Sequence, residues 1–272
     1  MPVIFAINFE NTVSPFGWTG INQTAGIVEV ATDHPFSGTH NARITLNTGV
    51  VAGSFVGFYH TFAGPTPNHD HVFMRAMNVM VDQLPINESG RLPVHGCWVQ
   101  QSAQLIGNCG FTKIGGVLKF FQSYRNNAVF IMQTGGTPEL NTPYSIELEV
   151  KQNSAPGVAD GAQRMWVDGV LLLEITGIIN DDRIISNLLF GLMNTDANPT
   201  TVVHFWADDF VASDQYIGPA TPPETGASLT VNANPEANVD VYVDDILVGK
   251  TPVTVELTAG THTVRTEQVV IQ

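Results

Sequence analysis

Segments such as AGIVEVAT, HNARITLN, SFVGFYHTF, HVFMRAMNVMV, YSIELEVKQ, QRMWVDGVLLLEI and TVVHFWADDFVAS recur along most of this 272-residue chain. They are short and rich in Val, Ile, Phe, Tyr and Thr, and clusters of Gly, Pro, Asn and Asp separate them. Many alternate apolar with polar residues, the period of a strand that buries one face. No long stretch carries a helical period, and INDDRIISNLL has room for one turn of helix at most. Many short, evenly spaced strands leave few architectures open, because each strand must bury one face and find partners at its edges. The reading is an all-β chain built around an antiparallel sandwich or jelly roll.

Composition agrees. Apolar residues make up 43% of the chain and charged residues 13%, enough for a large core and too little charge for a disordered chain. The formal net charge is −14, from 11 Lys+Arg against 25 Asp+Glu. Nucleic-acid binding needs a basic footprint that displaces counterions, so nucleic acid is not expected as a partner. On overall charge, an anionic polysaccharide or membrane surface is disfavoured too. MPVIFAINFENTV lacks the basic region and the apolar run of a secretory signal. No stretch of ~18 apolar residues exists to span a bilayer. Cys97 and Cys109 fit no zinc spacing; they pair across a hairpin or stay buried as thiols.

The pattern is interrupted once. GPATPPETGA, 218–227, carries Pro219, Pro222 and Pro223 and reads as a stiff linker. It divides a sandwich at 1–217 from a β-module at 228–272. A module of ~45 residues without a cysteine pair or metal cluster is short of core, so it is expected to dock on a partner surface.

Two resemblances follow from particular residues. NPEANVDVYVDDILVGKTPVTVELTAGTHTV resembles the PEGA family of small Ig-like β-repeats, found mostly on extracellular and surface proteins. Ala237 and Asp245 stand where the family usually has Gly, which makes the turn at 244–245 less tight. The marks INFEN, FGWTG, HPFSGTHNARI, HVFMRAMNVMV, YSIELEV, MWVDGVLL and FWADDFVASDQYIGP are similar to the concanavalin A-like (laminin-G-like) jelly roll of lectins, carbohydrate-binding modules and some polysaccharidases.

That second resemblance implies a site. Related modules hold a structural Ca²⁺ where first and last strands meet, which here would use Glu10, Asp208 and Asp209 with carbonyls around Ser37–His40. Such a mixed oxygen set suits calcium. The same carboxylates also read as a solvent-facing group and a backbone cap, since ligands spread over distant segments make no compact motif. His69 and His71 sit two apart but lack a third ligand. Glu147 and Glu149 share one strand face, the spacing of a carboxylate pair. However, Lys151 breaks the three-acid strand of related glycanases, and Arg75 and His95 are isolated echoes of the lyase strands. For sugar stacking the aromatic choices are Trp18, Trp98, Trp166, Tyr59 and Tyr124. Tyr124 with Arg125 and Asn126 reads as loop-adjacent and exposed, and Arg75 and Trp166 complete the candidate ligand-binding set. The expectation is a non-catalytic adhesion or structural protein that binds glycan or decorates a surface assembly such as a phage virion, extracellular or on the virion surface. It is expected to be an oligomer or part of a larger particle. The alternative is a polysaccharide lyase or glycoside hydrolase.

Overall fold

Val3–Ile7 is the first strand among the described residues, most of which are extended. The computed structural model describes residues 3–7, 9, 20–23, 25–36, 38–48, 55–62, 70–83, 88, 90–99, 104–180, 185–193, 201–219, 227–232, 239–243, 246–257 and 263–267. Among the described residues there is no helix, and none long and apolar enough to cross a membrane. Glu10, Trp18, Ser37 and His69, the linker at 220–226 and the turn at 244–245 lie outside the described residues, as does the side chain of Trp98. The chain forms two compact units, Met1–Ala220 and Thr221–Gln272.

In the first unit the strands are β1 (Val3–Ile7), β2 (Gly20–Asn22), β3 (Gly26–Ala31), β4 (Asn41–Leu46), β5 (Phe55–Thr61), β6 (His71–Val81), β7 (Arg91–Val99) and β8 (Gln104–Ile114). They continue as β9 (Val117–Asn126), β10 (Val129–Gly135), β11 (Tyr144–Lys151), β12 (Gly161–Val167), β13 (Val170–Ile178), β14 (Asn187–Met193) and β15 (Val203–Ser213). Eight form one antiparallel sheet, in the order β13-β12-β11-β6-β15-β4-β3, with β1 also pairing β15. Seven form the other, in the order β10-β9-β8-β7-β14-β5-β2. First and last strands meet, with Ile7 opposite Phe210. The fold is therefore the two-sheet sandwich expected from alternation.

The core lies between the sheets. Val72, Met74 and Ala76 of β6, Ile146, Leu148 and Val150 of β11, and Phe205, Ala207 and Phe210 of β15 face Phe111, Leu118, Phe120, Leu188 and Phe190 of the seven-stranded sheet. Alternation places their odd-even neighbours on the outer faces.

Polar groups enter this apolar layer at a few points, Gln163 among them. Gln163 of β12 reaches across the core and donates to the carbonyls of Asn108 and Ser123 at 3.2 Å each. It occupies the space beside Gly107, where a Cβ would collide with its Oε1 and stand 3.1 Å from Val150 Cγ2. Gly107→Ala is expected to cost about 1–3 kcal/mol through overpacking. Equilibrium unfolding of G107A, Q163A and the double variant checks this. The costs combine less than additively if the clash is with Gln163, and they simply add if it is not.

The second unit carries β16 (Ala227–Val231), β17 (Asp240–Val243), β18 (Ile246–Lys250), β19 (Val253–Leu257) and β20 (Val264–Glu267). β16 pairs β19, and β17 lies between β18 and β20. Its described buried apolar residues are Val241 and Val243, while Leu247 and Val264 are exposed.

Candidate functional site

The carboxylate pair on β11 is built into structure. Glu147 and Glu149 are both buried. The segment after β15 turns back over the outer face of the eight-stranded sheet, and its Ile217 and Gly218 N–H groups donate to the two Glu147 oxygens at 2.8 and 3.0 Å. Arg75, opposite Glu147 in register, donates to the Gly218 carbonyl at 2.7 Å. Burial raises the Glu147 carboxyl above its ordinary range, against the pull of those two N–H donors and of Arg75. Burial pushes Glu149 the same way, but hydrogen bonds from His71 and Arg164 outweigh it and hold this carboxyl below its ordinary range. Arg164 donates to both Glu149 oxygens, at 3.0 and 2.8 Å, and to Glu174 at 2.6 Å. Tyr216 closes the strap, its ring 5.0 Å from Trp166 and 6.3 Å from Phe73. Arg75 and Trp166, read from sequence as ligand contacts, therefore serve here as partners of the strap.

Two residues along β6 from Arg75, Met77 pairs with Asp208 of β15, which is fully buried. Its carboxylate accepts the Phe36 N–H at 2.9 Å and the Asp209 N–H at 2.8 Å, so it ties the loop before β4 to the bulge at Asp209, whose φ is 44°. Ala207 pairs Ala42, which puts Asn41 at the register position beside Asp208. Asn41 is fully buried, and among the described residues neither its Oδ1 nor its Nδ2 has a partner. Among the described residues no group of three or more His, Cys, Asp or Glu stands ready to hold a metal.

The outer face of the seven-stranded sheet has the opposite character. One row crosses all its strands: Gly20, Tyr59, Leu189, Gly96, Asn108, Ser123 and Met132 are neighbours in register. Tyr59 lies across Gly20, whose Cβ would come within 2.6 Å of Tyr59 Cζ, so the ring rests along the sheet. Asn108 and Ser123 hydrogen-bond to one another and form a buried polar floor. A second row aligns Arg91, Thr112 and Lys119. Arg125 stands on the same face as Ser123 and Lys119, since side chains two apart share a face. The seven strands contain no Asp or Glu, whereas they carry Arg91, Lys113, Lys119 and Arg125. The eight-stranded sheet holds Glu29, Glu147, Glu149, Glu174, Asp208 and Asp209. A chain of net charge −14 thus keeps one sheet free of acid.

Several sequence readings need correction. Tyr124 is 4% exposed, not presented to solvent. It follows Leu118, Phe120 and Gln122 on the inward face and sits opposite Gly107, and burial raises its phenol pKa. Asn126 turns its Oδ1 to the Ile179 N–H at 3.1 Å, a structural bond. His95 lies in the core between Phe190 and Phe210 and bonds the Ile146 carbonyl at 3.2 Å. For Cys97 and Cys109, left open between a pair and two buried thiols, the structure has the second: both are free and buried, and burial raises both thiols. Asn108, Ser123, Arg91 and Lys119 were not singled out from sequence, because only sheet order reveals that they share a face.

Comparison with known proteins gives a fold and one family match. The PEGA domain model matches residues 227–268. No curated protein matches the chain. Among solved structures, the endo-β-1,4-glucuronan lyase of the fungus Trichoderma reesei is similar at 12% identity, with a TM-score of 0.57 over 80% of this chain and 96% of the lyase. The binding domain of botulinum neurotoxin serotype G is similar at 14% identity, with a TM-score of 0.50 over 89% of this chain and 57% of that one. These likenesses concern the fold.

Proposed function

We propose that this chain is a non-catalytic glycan-binding protein of a surface assembly, and that its contact face is the outer face of the seven-stranded sheet. The carrying observation is charge partition: that sheet has no acidic residue and supplies Arg91, Lys119 and Arg125 on the face that also carries Tyr59. Guanidinium groups take carboxylates bidentately, and an aromatic ring lying along a sheet offers a stacking surface. The preferred glycan is one that carries carboxylates. Overall negative charge argues against such a ligand, but the local cations decide contact while the remote acids are screened beyond ~10 Å.

The second reading is a polyuronate lyase, favoured by the same basic face and by the likeness to a glucuronan lyase. Among the described residues of those seven strands the histidines are His60 and His95, and His95 is in the core. A glycan array followed by incubation with the retained polymers separates the readings. Retention of acidic glycans without formation of an unsaturated, ultraviolet-absorbing uronate supports binding; turnover supports the lyase; retention of neutral glycans alone overturns both.

Attachment belongs to the PEGA-like unit in this proposal, with another subunit or assembly as its surface. A chain ending at Ala220 keeps the strap and is expected to bind glycan but no longer to attach to that surface. Unchanged attachment would remove that role.

Calcium is proposed at the Asp208 corner, where a partnerless, fully buried amide beside a buried carboxylate fits a cation with oxygen ligands. Asp208, Asp209, Asn41 and carbonyls within 38–40 would hold it, and the ion would supply loop rigidity rather than chemistry.

A further inference from the structure

Edges of sheets invite other strands, and folds guard them with charge, bulges or shortness. The described edges of the sandwich show such guards, with one exception. β2 has only three residues. β3 carries Glu29, bonded to Arg43 at 2.9 Å. β1 has a register shift between Val3 and Phe5. β13 has two shifts and carries Glu174. β10, VFIMQTG, has no charge, no proline and an unbroken register against β9. Its Val129, Phe130 and Ile131 are 61%, 41% and 37% exposed.

We infer that β10 is a homodimer edge, and that a second copy of this chain pairs with it antiparallel to continue the seven-stranded sheet. Charge selects this occupant. Two copies of a chain of net charge −14 repel over most of their surfaces, and a lasting contact needs an acid-free patch. β10 lies at the edge of the sheet whose strands hold no acid, with Arg125 opposite Phe130 as its nearest paired charge. The contact is isologous, as a twofold requires. An axis through Met132 places Val129 against Gly135 of the other copy, Phe130 against Thr134 and Ile131 against Gln133, so each exposed apolar side chain meets a small or uncharged partner. The inference does not depend on the glycan reading.

The test is sedimentation equilibrium of the full chain with Ile131→Lys, and of Val170→Lys on β13 as a control for exposed apolar loss. The expected result is a dimer for wild type and V170K and a monomer for I131K with unchanged melting. Met132→Cys provides an arm that does not depend on I131K folding. Across an antiparallel pair Cα atoms stand ~4.5–5.5 Å apart, within the span of a disulfide, so M132C crosslinks under mild oxidation and Thr134→Cys does not. Cys97 and Cys109 are buried and do not compete. A monomeric wild type, a dimer that survives I131K, absent M132C crosslinking, or β10 occupied by a foreign protein on a monomeric chain would each overturn the inference.

Discussion

Lowering the pH from about 6.5 towards 4 is expected to strip about 3 kcal/mol from the sandwich through His95 alone. Burial among Phe190 and Phe210 lowers the His95 imidazole from its ordinary 6.5 to about 4, against the pull of its bond to the Ile146 carbonyl. Between those values the unfolded chain binds the proton and the folded chain does not, so stability rises with pH across the window and falls as acid is added. A difference of ~2.5 pKa units corresponds to about 3 kcal/mol. Glu149, held below its ordinary 4.5, acts in the same direction only at lower pH. Glu147, held above it, acts the other way, because the folded state takes up that proton first. Urea unfolding at pH 7 and pH 5 isolates the histidine when wild type is compared with His95→Gln. A smaller acid loss in H95Q is expected. Parallel losses would show that His95 does not carry the effect.

Asp208→Ala is the second large effect. The substitution removes the carboxylate that accepts the Phe36 and Asp209 N–H groups, at about 1–3 kcal/mol for each. It also releases the loop before β4 and the bulge at Asp209. Thermal melting reads the loss directly, and a D208A that melts with wild type would show that the carboxylate is no anchor. The calcium proposal has its own arm. Chelation with EDTA is expected to lower the melting temperature of wild type and leave D208A unmoved. A wild type indifferent to EDTA would remove calcium and leave Asp208 as a hydrogen-bonding anchor only.

Much of the sandwich was legible because alternation is local. HVFMRAMNVMV and TVVHFWADDFVAS read as strands and are β6 and β15. The meeting of first and last strands was inferred from resemblance and appears as the pairing of Ile7 with Phe210. Tyr124 was misread for a local reason. RNN after it suggests a loop, yet the strand runs on to Asn126, and the alternation from Leu118 would have turned Tyr124 inward. Glu147 was ambiguous for a non-local one. Its N–H donors lie 70 and 71 residues away, in a segment whose Gly218-Pro219 reads as the start of a linker. The acid-free sheet is the plainest case. Each strand shows its composition, but the grouping of β5, β7, β8, β9, β10 and β14 is a matter of long-range pairing that no local pattern encodes.

The proposed function requires that the acid-free sheet face bind a carboxylate-bearing glycan. Calorimetric titration of the full chain with an oligouronate, beside a neutral oligosaccharide of equal length, tests it most directly when repeated on Arg91→Glu/Arg125→Glu. The account predicts binding of the oligouronate by wild type, weakened by added salt, at least tenfold weaker in R91E/R125E, and little binding of the neutral sugar. Equal binding of both sugars, or an oligouronate affinity untouched by the double charge reversal, would contradict it.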